Sequence, residues 1–170
     1  ASAVVAAHPL GKIRVPVGNN TVSDLQLSGQ CLDGQGLGAV LKAGAGATTT
    51  IRLGYVNNPS QWARRSIRDL VIDGNAKAAN GATYADAASS HISGRWKFDG
   101  VVFKDCEKGI HKPAGNIGNS YDACNFTANS FGVYAVGQTS PLMHAGCDTY
   151  TNTEFSLNTI AGAYYDSPQI

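Results

Sequence analysis

Charge is scarce in this chain. Asp, Glu, Lys and Arg make up 15% of 170 residues, against roughly a quarter in an average soluble domain. The 13 basic and 12 acidic residues leave a net charge of +1. The concentrated basic face needed to hold nucleic acid or an anionic membrane is therefore missing. No apolar run approaches the roughly 20 residues that cross a bilayer, so no membrane insertion is expected. The four cysteines, Cys31, Cys106, Cys124 and Cys147, include no CxxC pair and give no zinc-ligand spacing. No HExxH, P-loop or EF-hand pattern is present, and Gly36 and Gly38 lack the following helix that a dinucleotide fingerprint requires. No metal and no cofactor is expected.

What the chain does have is glycine, 20 residues of it, with a single methionine. That balance does not suit a helical bundle and points to an all-β fold of about one domain, residues 1–170. The cysteines sit among apolar or small neighbours. Free cysteine packs as a small hydrophobe, so Cys106, Cys124 and Cys147 are expected as interior thiols. Synthesis in a reducing cytosol follows.

An internal repeat organises the second half. Phe98-Asp-Gly-Val-Val-Phe103, continuing to Gly109-Ile-His111, aligns with Tyr121-Asp-Ala-Cys-Asn-Phe126 and Gly132-Val-Tyr134 at an offset of 23 residues. A third copy, Tyr150 to Phe155 and then Gly162-Ala-Tyr164, begins 29 residues later and carries one extra residue before its glycine. A weaker early copy is Asp69-Leu-Val-Ile72-Asp-Gly-Asn75. Alternation around each Phe describes a short strand with one inward face. The copies predict stacked coils, with Phe103, Phe126 and Phe155 in one interior column. Asn75, Asn129 and Asn158, in register with Cys106, are expected to turn the chain and to form a ladder from coil to coil.

The first half reads compatibly. Gly11–Gly18, Asp24–Ser28, Gly38–Lys42 and Thr50–Gly54 are short alternating strands between glycine turns. Two longer loops, 55–66 and 76–91, are expected to interrupt the coils, and loops of that length tend to be functional or disordered. Ala1–Ala7 has no basic n-region and is not a signal peptide. The chain reads as a piece of a longer protein.

Gly11-Lys-Ile-Arg-Val-Pro-Val-Gly18, Leu27-Ser-Gly-Gln-Cys-Leu-Asp-Gly-Gln-Gly-Leu-Gly-Ala-Val-Leu-Lys42 and Ile67-Arg-Asp-Leu-Val-Ile-Asp-Gly-Asn75 together resemble the pectate-lyase-like superfamily. Its style is closest to the bacteriophage tailspike and depolymerase branch, and the likeness covers essentially the whole chain. It implies a right-handed single-stranded parallel β-helix, with Ala1–His8 as the remnant of an N-terminal capping helix. It also implies a homotrimer on a virion tail, assembled in the host cytoplasm and acting at the bacterial cell surface. A preceding N-terminal region would join it to other phage tail proteins, and a bacterial surface or capsular polysaccharide would be its partner. Asn125-Phe-Thr127 is formally a glycosylation sequon that such an origin leaves unused.

The densest polar run is Lys104-Asp-Cys-Glu-Lys-Gly-Ile-His111-Lys112. Asp105, Glu107 and Lys108 occupy a turn, and His111 points outward from the strand that follows. By resemblance to polygalacturonases, Glu107 and Lys108 fall at a paired-acid position, where only one of them is acidic. Glycoside hydrolysis needs two carboxylates about 5–9.5 Å apart, for which Asp105, Glu107, Asp122 and Glu154 are candidates. A solvated turn with a weak Glu107–Lys108 pair is the plainer account.

His111, Tyr134 and Tyr164 share one repeat position and should form an outward aromatic stack that suits sugar rings or a subunit seam. Trp62 with Arg64 and Arg65 is a second candidate, since arginine grips carboxylates with two donors; a Trp cover with solvated arginines is the alternative. His8, His91 and His144 read as structural.

Three function classes stay open. One is a depolymerase, working by hydrolysis or by β-elimination with Lys108 or His111 as base and Arg64 facing the uronate carboxylate. The others are a non-catalytic receptor-binding spike and a structural β-helix segment. The assigned set is Asp105, Glu107, Lys108 and His111 for catalysis. Tyr134, Tyr164, Trp62, Arg64, Arg65 and Glu154 are assigned to substrate binding.

Overall fold

The computed structural model describes residues 11–27, 30–54, 65–84, 96–113, 119–136 and 148–166. Ala1–His8, Trp62, Arg64, His91, His144 and Cys147 lie outside the described residues.

The described residues wind through six coils. The first holds β1 (Lys12–Arg14), β2 (Gly18–Val22) and β3 (Leu25–Leu27); the second, β4 (Cys31–Asp33), β5 (Ala39–Ala43) and β6 (Thr49–Leu53). In the third and fourth coils two faces share one long bent strand: β7 (Ser66–Asp73) with β8 (Asn80–Tyr84), then β9 (Lys97–Lys104) with β10 (Lys108–Lys112). The fifth has β11 (Ser120–Asp122), β12 (Asn125–Thr127) and β13 (Phe131–Val136). The sixth has β14 (Thr149–Thr151), β15 (Glu154–Ser156) and β16 (Ala161–Asp166).

Every strand pairs in parallel with its counterpart one coil away. Three faces result. The first runs β1-β4-β7-β9-β11-β14, the second β2-β5-β7-β9-β12-β15, and the third is the separate sheet β3-β6-β8-β10-β13-β16. This is a parallel β-helix, as the repeat predicted. Among the described residues there is no helix, and none long and apolar enough to cross a membrane.

The repeat register holds residue for residue. Phe98, Tyr121 and Tyr150 stack at 5.1 and 4.9 Å, and Phe103, Phe126 and Phe155 at 4.8 and 4.9 Å, with interplanar angles of 12° or less. Both columns point inward and meet edge-on, Tyr121 against Phe126. The glycine at the second position of β8, β10, β13 and β16 has a steric reason: a Cβ on Gly109 would stand 2.5 Å from the Gly132 carbonyl oxygen, and one on Gly132 closer still to that of Gly162. Cys106 and Cys124 are buried free thiols, as expected. Burial raises both pKa values, Cys124 to about 11, which keeps the thiols protonated and inert. Cys31 is only partly buried.

Three readings need correction. Asn75 takes the left-handed turn as expected, with φ of 55°, but Asn129 and Asn158 do not; there, and at Cys106, the preceding residue does, with φ of 51° at Asp105, 56° at Ala128 and 55° at Leu157. Asn129 and Asn158 instead build the ladder from within. Each side-chain oxygen accepts the backbone N–H one coil back (Cys106 and Asn129), and each amide donates to the Phe103 or Phe126 carbonyl. Asn75 is outside this ladder, because its turn is longer and Gly74 is what packs on Cys106. Finally, the loop expected over 76–91 contains a strand, β8. Its Gly81, Ala82 and Tyr84 are buried, so packing between β6 and β10 overrides the loop-like composition.

Candidate functional site

The outward positions of the third face carry the aromatic row, with Tyr164 exposed and His111 and Tyr134 half-buried. Strand β10 buries Gly109, Ile110 and Lys112 and turns Lys108 and His111 outward. Pairing places His111 beside Tyr134 and Tyr134 beside Tyr164. The tyrosine rings stack at 5.2 Å and 12°, and His111 lies 5.9 Å from Tyr134 at a tilt of 45°. Phe131, which sequence reasoning missed, completes the patch edge-on to Tyr134 and Tyr164 at 4.8 and 6.0 Å. Its signal was available, since it opens β13 at the position of Lys108 in β10.

Lys108 joins charge to this strip. Its Nζ sits 5.2 Å over the Tyr134 ring and 2.7 Å from the Glu107 carboxylate. His111 is held below the ordinary imidazole range, first by burial and then by the Lys108 charge, with Glu107 opposing weakly. The imidazole is therefore neutral near pH 7 and able to accept a proton. An NMR titration is expected to show its midpoint below 6.5. The sign for stability follows. As pH drops below 6.5 the unfolded chain binds this proton first, so stability decreases until the pH lies beneath the folded midpoint. A midpoint at or above the ordinary value would refute the burial argument.

The other sequence candidates do not gather here. Asp105 stands at the turn between second and third faces, 3.7 Å from Lys104, which also holds Asp73 at 3.2 Å. Glu154 is exposed on β15 of the second face, and Asp122 ends β11 on the first. Asp122 and Glu154 thus lie apart from the others, while Asp105 and Glu107 share the turn before β10 and each face a lysine. Arg65 is not a surface sugar contact. It is buried, with its guanidinium 5.9 Å over the Trp96 ring, because it precedes β7 at an inward corner position.

That corner, between the third face and the next first face, holds a second polar group. From the second coil to the sixth, the residues preceding the first-face strands are Gln30, Arg65, Trp96, Asn119 and Asp148. Lys112 lies 2.8 Å from Asp148, with side chains only 4% and 2% exposed. Asp148 also accepts from the Asn119 N–H at 2.8 Å and the Tyr165 hydroxyl at 2.7 Å, and Tyr150 and Tyr165 hydrogen-bond each other. Burial, and then Asp148, push the Tyr150 phenol far up, so it stays a donor. The repeat carried a signal for this column too, since Trp96, Asn119 and Asp148 each precede an aligned aromatic by two residues. Among the described residues no group of three or more His, Cys, Asp or Glu is placed to hold a metal ion.

Solved structures share this architecture. The A-module of mannuronan C-5 epimerase AlgE4 from Azotobacter vinelandii superposes with a TM-score of 0.62 at 18% identity, covering 96% of this chain and 53% of that one. The AlgE6 A-module from the same organism gives 0.57 at 18%, covering 98% and 51%. The shared element is the fold. The chain spans about half the length of either module. The sequence matches no protein-family model and no curated protein. The tailspike branch rests on the sequence resemblance alone, since both of these structures are epimerase modules.

Proposed function

We propose that the third-face strip recognises an acidic polysaccharide and cleaves it at a uronate residue. One observation carries the reading: a cation, an imidazole and stacked aromatic rings share one outward strip on consecutive coils. Sugar C–H faces pack on Tyr134 and Tyr164 while their hydroxyls reach polar neighbours. Lys108 faces the uronate carboxylate and stabilises the charge that develops when the C5 proton leaves. His111 takes that proton, the C4–O bond breaks, a C4=C5 double bond forms, and the departing oxygen is protonated by the Tyr134 hydroxyl or by water. Elimination is favoured over hydrolysis because the carboxylate candidates are dispersed or ion-paired. The likeness in fold to modules named for mannuronan, a polyuronate, agrees with an acidic substrate. The finer expectation, a trimeric phage tailspike at the bacterial surface, belongs to the same proposal.

Mannuronan is the first probe, with binding by calorimetry, products by ultraviolet absorbance of the unsaturated uronate, and mass by light scattering. Tyr134→Ala should weaken binding about tenfold, the loss of one stacking contact, with assembly unchanged. His111→Ala should abolish absorbing product while binding persists. Binding by the unaltered protein without product or chain shortening would favour the non-catalytic receptor-binding spike. A Tyr134→Ala variant that binds like the parent but loses its oligomer would make the row a subunit seam.

A further inference from the structure

Asp148 does more than neutralise Lys112. Its carboxylate collects donors from three successive coils: Lys112 Nζ at the end of β10, the Asn119 backbone N–H and side-chain amide before β11, and the Tyr165 hydroxyl on β16. Lys112 directly follows His111, and Tyr165 directly follows Tyr164. Neighbouring residues on a strand project to opposite sides. The two members of the aromatic row that flank Tyr134 are therefore each one residue from a side chain held by the same carboxylate.

The residue between these two is the enabling detail. Register runs Lys112–Ala135–Tyr165 along the third face, and Ala135 is buried and ends at its Cβ. A larger residue there would separate the ammonium from the phenol.

We infer that Asp148 is a positioning residue for the aromatic strip, tying buried Lys112 of β10 to half-exposed Tyr165 of β16 so that His111 and Tyr164 stay aligned about Tyr134. This inference rests on the polysaccharide reading for its consequence, and on the contacts above for its geometry. His111 is also faced by Lys108 and Glu107 of its own coil, Tyr134 of β13 and Thr83 of β8, all of which the change at Asp148 leaves in place.

The test is Asp148→Asn in the full chain, read in two ways at a temperature where the variant is folded. Mannuronan affinity should fall about tenfold, and the ring-to-ring NMR contact between Tyr134 and Tyr164, recorded without ligand, should weaken. A plain loss of stability moves neither reading in the folded fraction. Should Asp148→Asn fail to fold, Tyr165→Phe removes one donor of the clamp without changing any charge. It should weaken affinity about threefold and weaken the ring contact. A folded variant with affinity and ring contact both unchanged overturns the inference, whatever its melting temperature. If the unaltered protein does not bind mannuronan, the polysaccharide reading fails for that polymer, and the ring contact alone then decides whether Asp148 positions the row.

Discussion

Phe126→Ala is expected to lower the free energy of unfolding by about 3–5 kcal/mol, as for large aromatic truncations in closed cores. The ring is fully buried. It stacks between Phe103 at 4.8 Å and Phe155 at 4.9 Å and takes the edge of Tyr121 at 5.7 Å. Backbone ladders on both sides hold the coil open, so neighbouring side chains can collapse only partly into the space. Urea denaturation followed by circular dichroism measures the shift. A loss under about 1 kcal/mol would mean that the column does not close the core at this coil. Phe155→Ala provides the contrast. Its ring belongs to the sixth coil and is only partly buried, so the same truncation there should cost less.

Lys112→Met should cost a similar amount, about 3–5 kcal/mol, for an electrostatic reason. Methionine keeps most of the aliphatic stem but removes the ammonium that faces Asp148 at 2.8 Å. The carboxylate then remains out of water with only neutral donors from Asn119, Tyr150 and Tyr165. Most of the expected loss is the penalty of that uncompensated charge, not the worth of the pair. The double variant Lys112→Met/Asp148→Leu should therefore recover much of it, because an apolar replacement of a buried pair is often neutral or better. If the double variant is as unstable as the single one, the corner depends on the polar network itself.

The fold was legible because its signal is repeated. Phe98, Tyr121 and Tyr150, with Phe103, Phe126 and Phe155, mark inward positions at a period that survives changes in loop length. The glycines before Ile110, Val133 and Ala163 mark where backbone approaches backbone. Strand β8 was missed because Asn80-Gly-Ala-Thr-Tyr84 carries no β-branched run and alternates weakly; its neighbours in the sheet, not its own propensity, make it a strand.

The row of His111, Tyr134 and Tyr164 was likewise readable from register alone, since residues one coil apart on a parallel face are neighbours. Local pattern could not say whether Lys112 or Arg65 faces water, because long basic side chains are normally solvated.

The sequence by itself determined the coil repeat, the interior aromatic columns and the outward aromatic row, all consequences of period and side-chain alternation. Only the tertiary structure decided which polar residues turn inward, that Asp122 and Glu154 lie apart from the Asp105–Glu107 turn, and that Asp148 meets Lys112 and Tyr165. Those contacts join residues 36 and 17 positions apart in the chain, and their geometry is set by how three coils stack at one corner. Charge pairing of that kind has no period for a sequence to display.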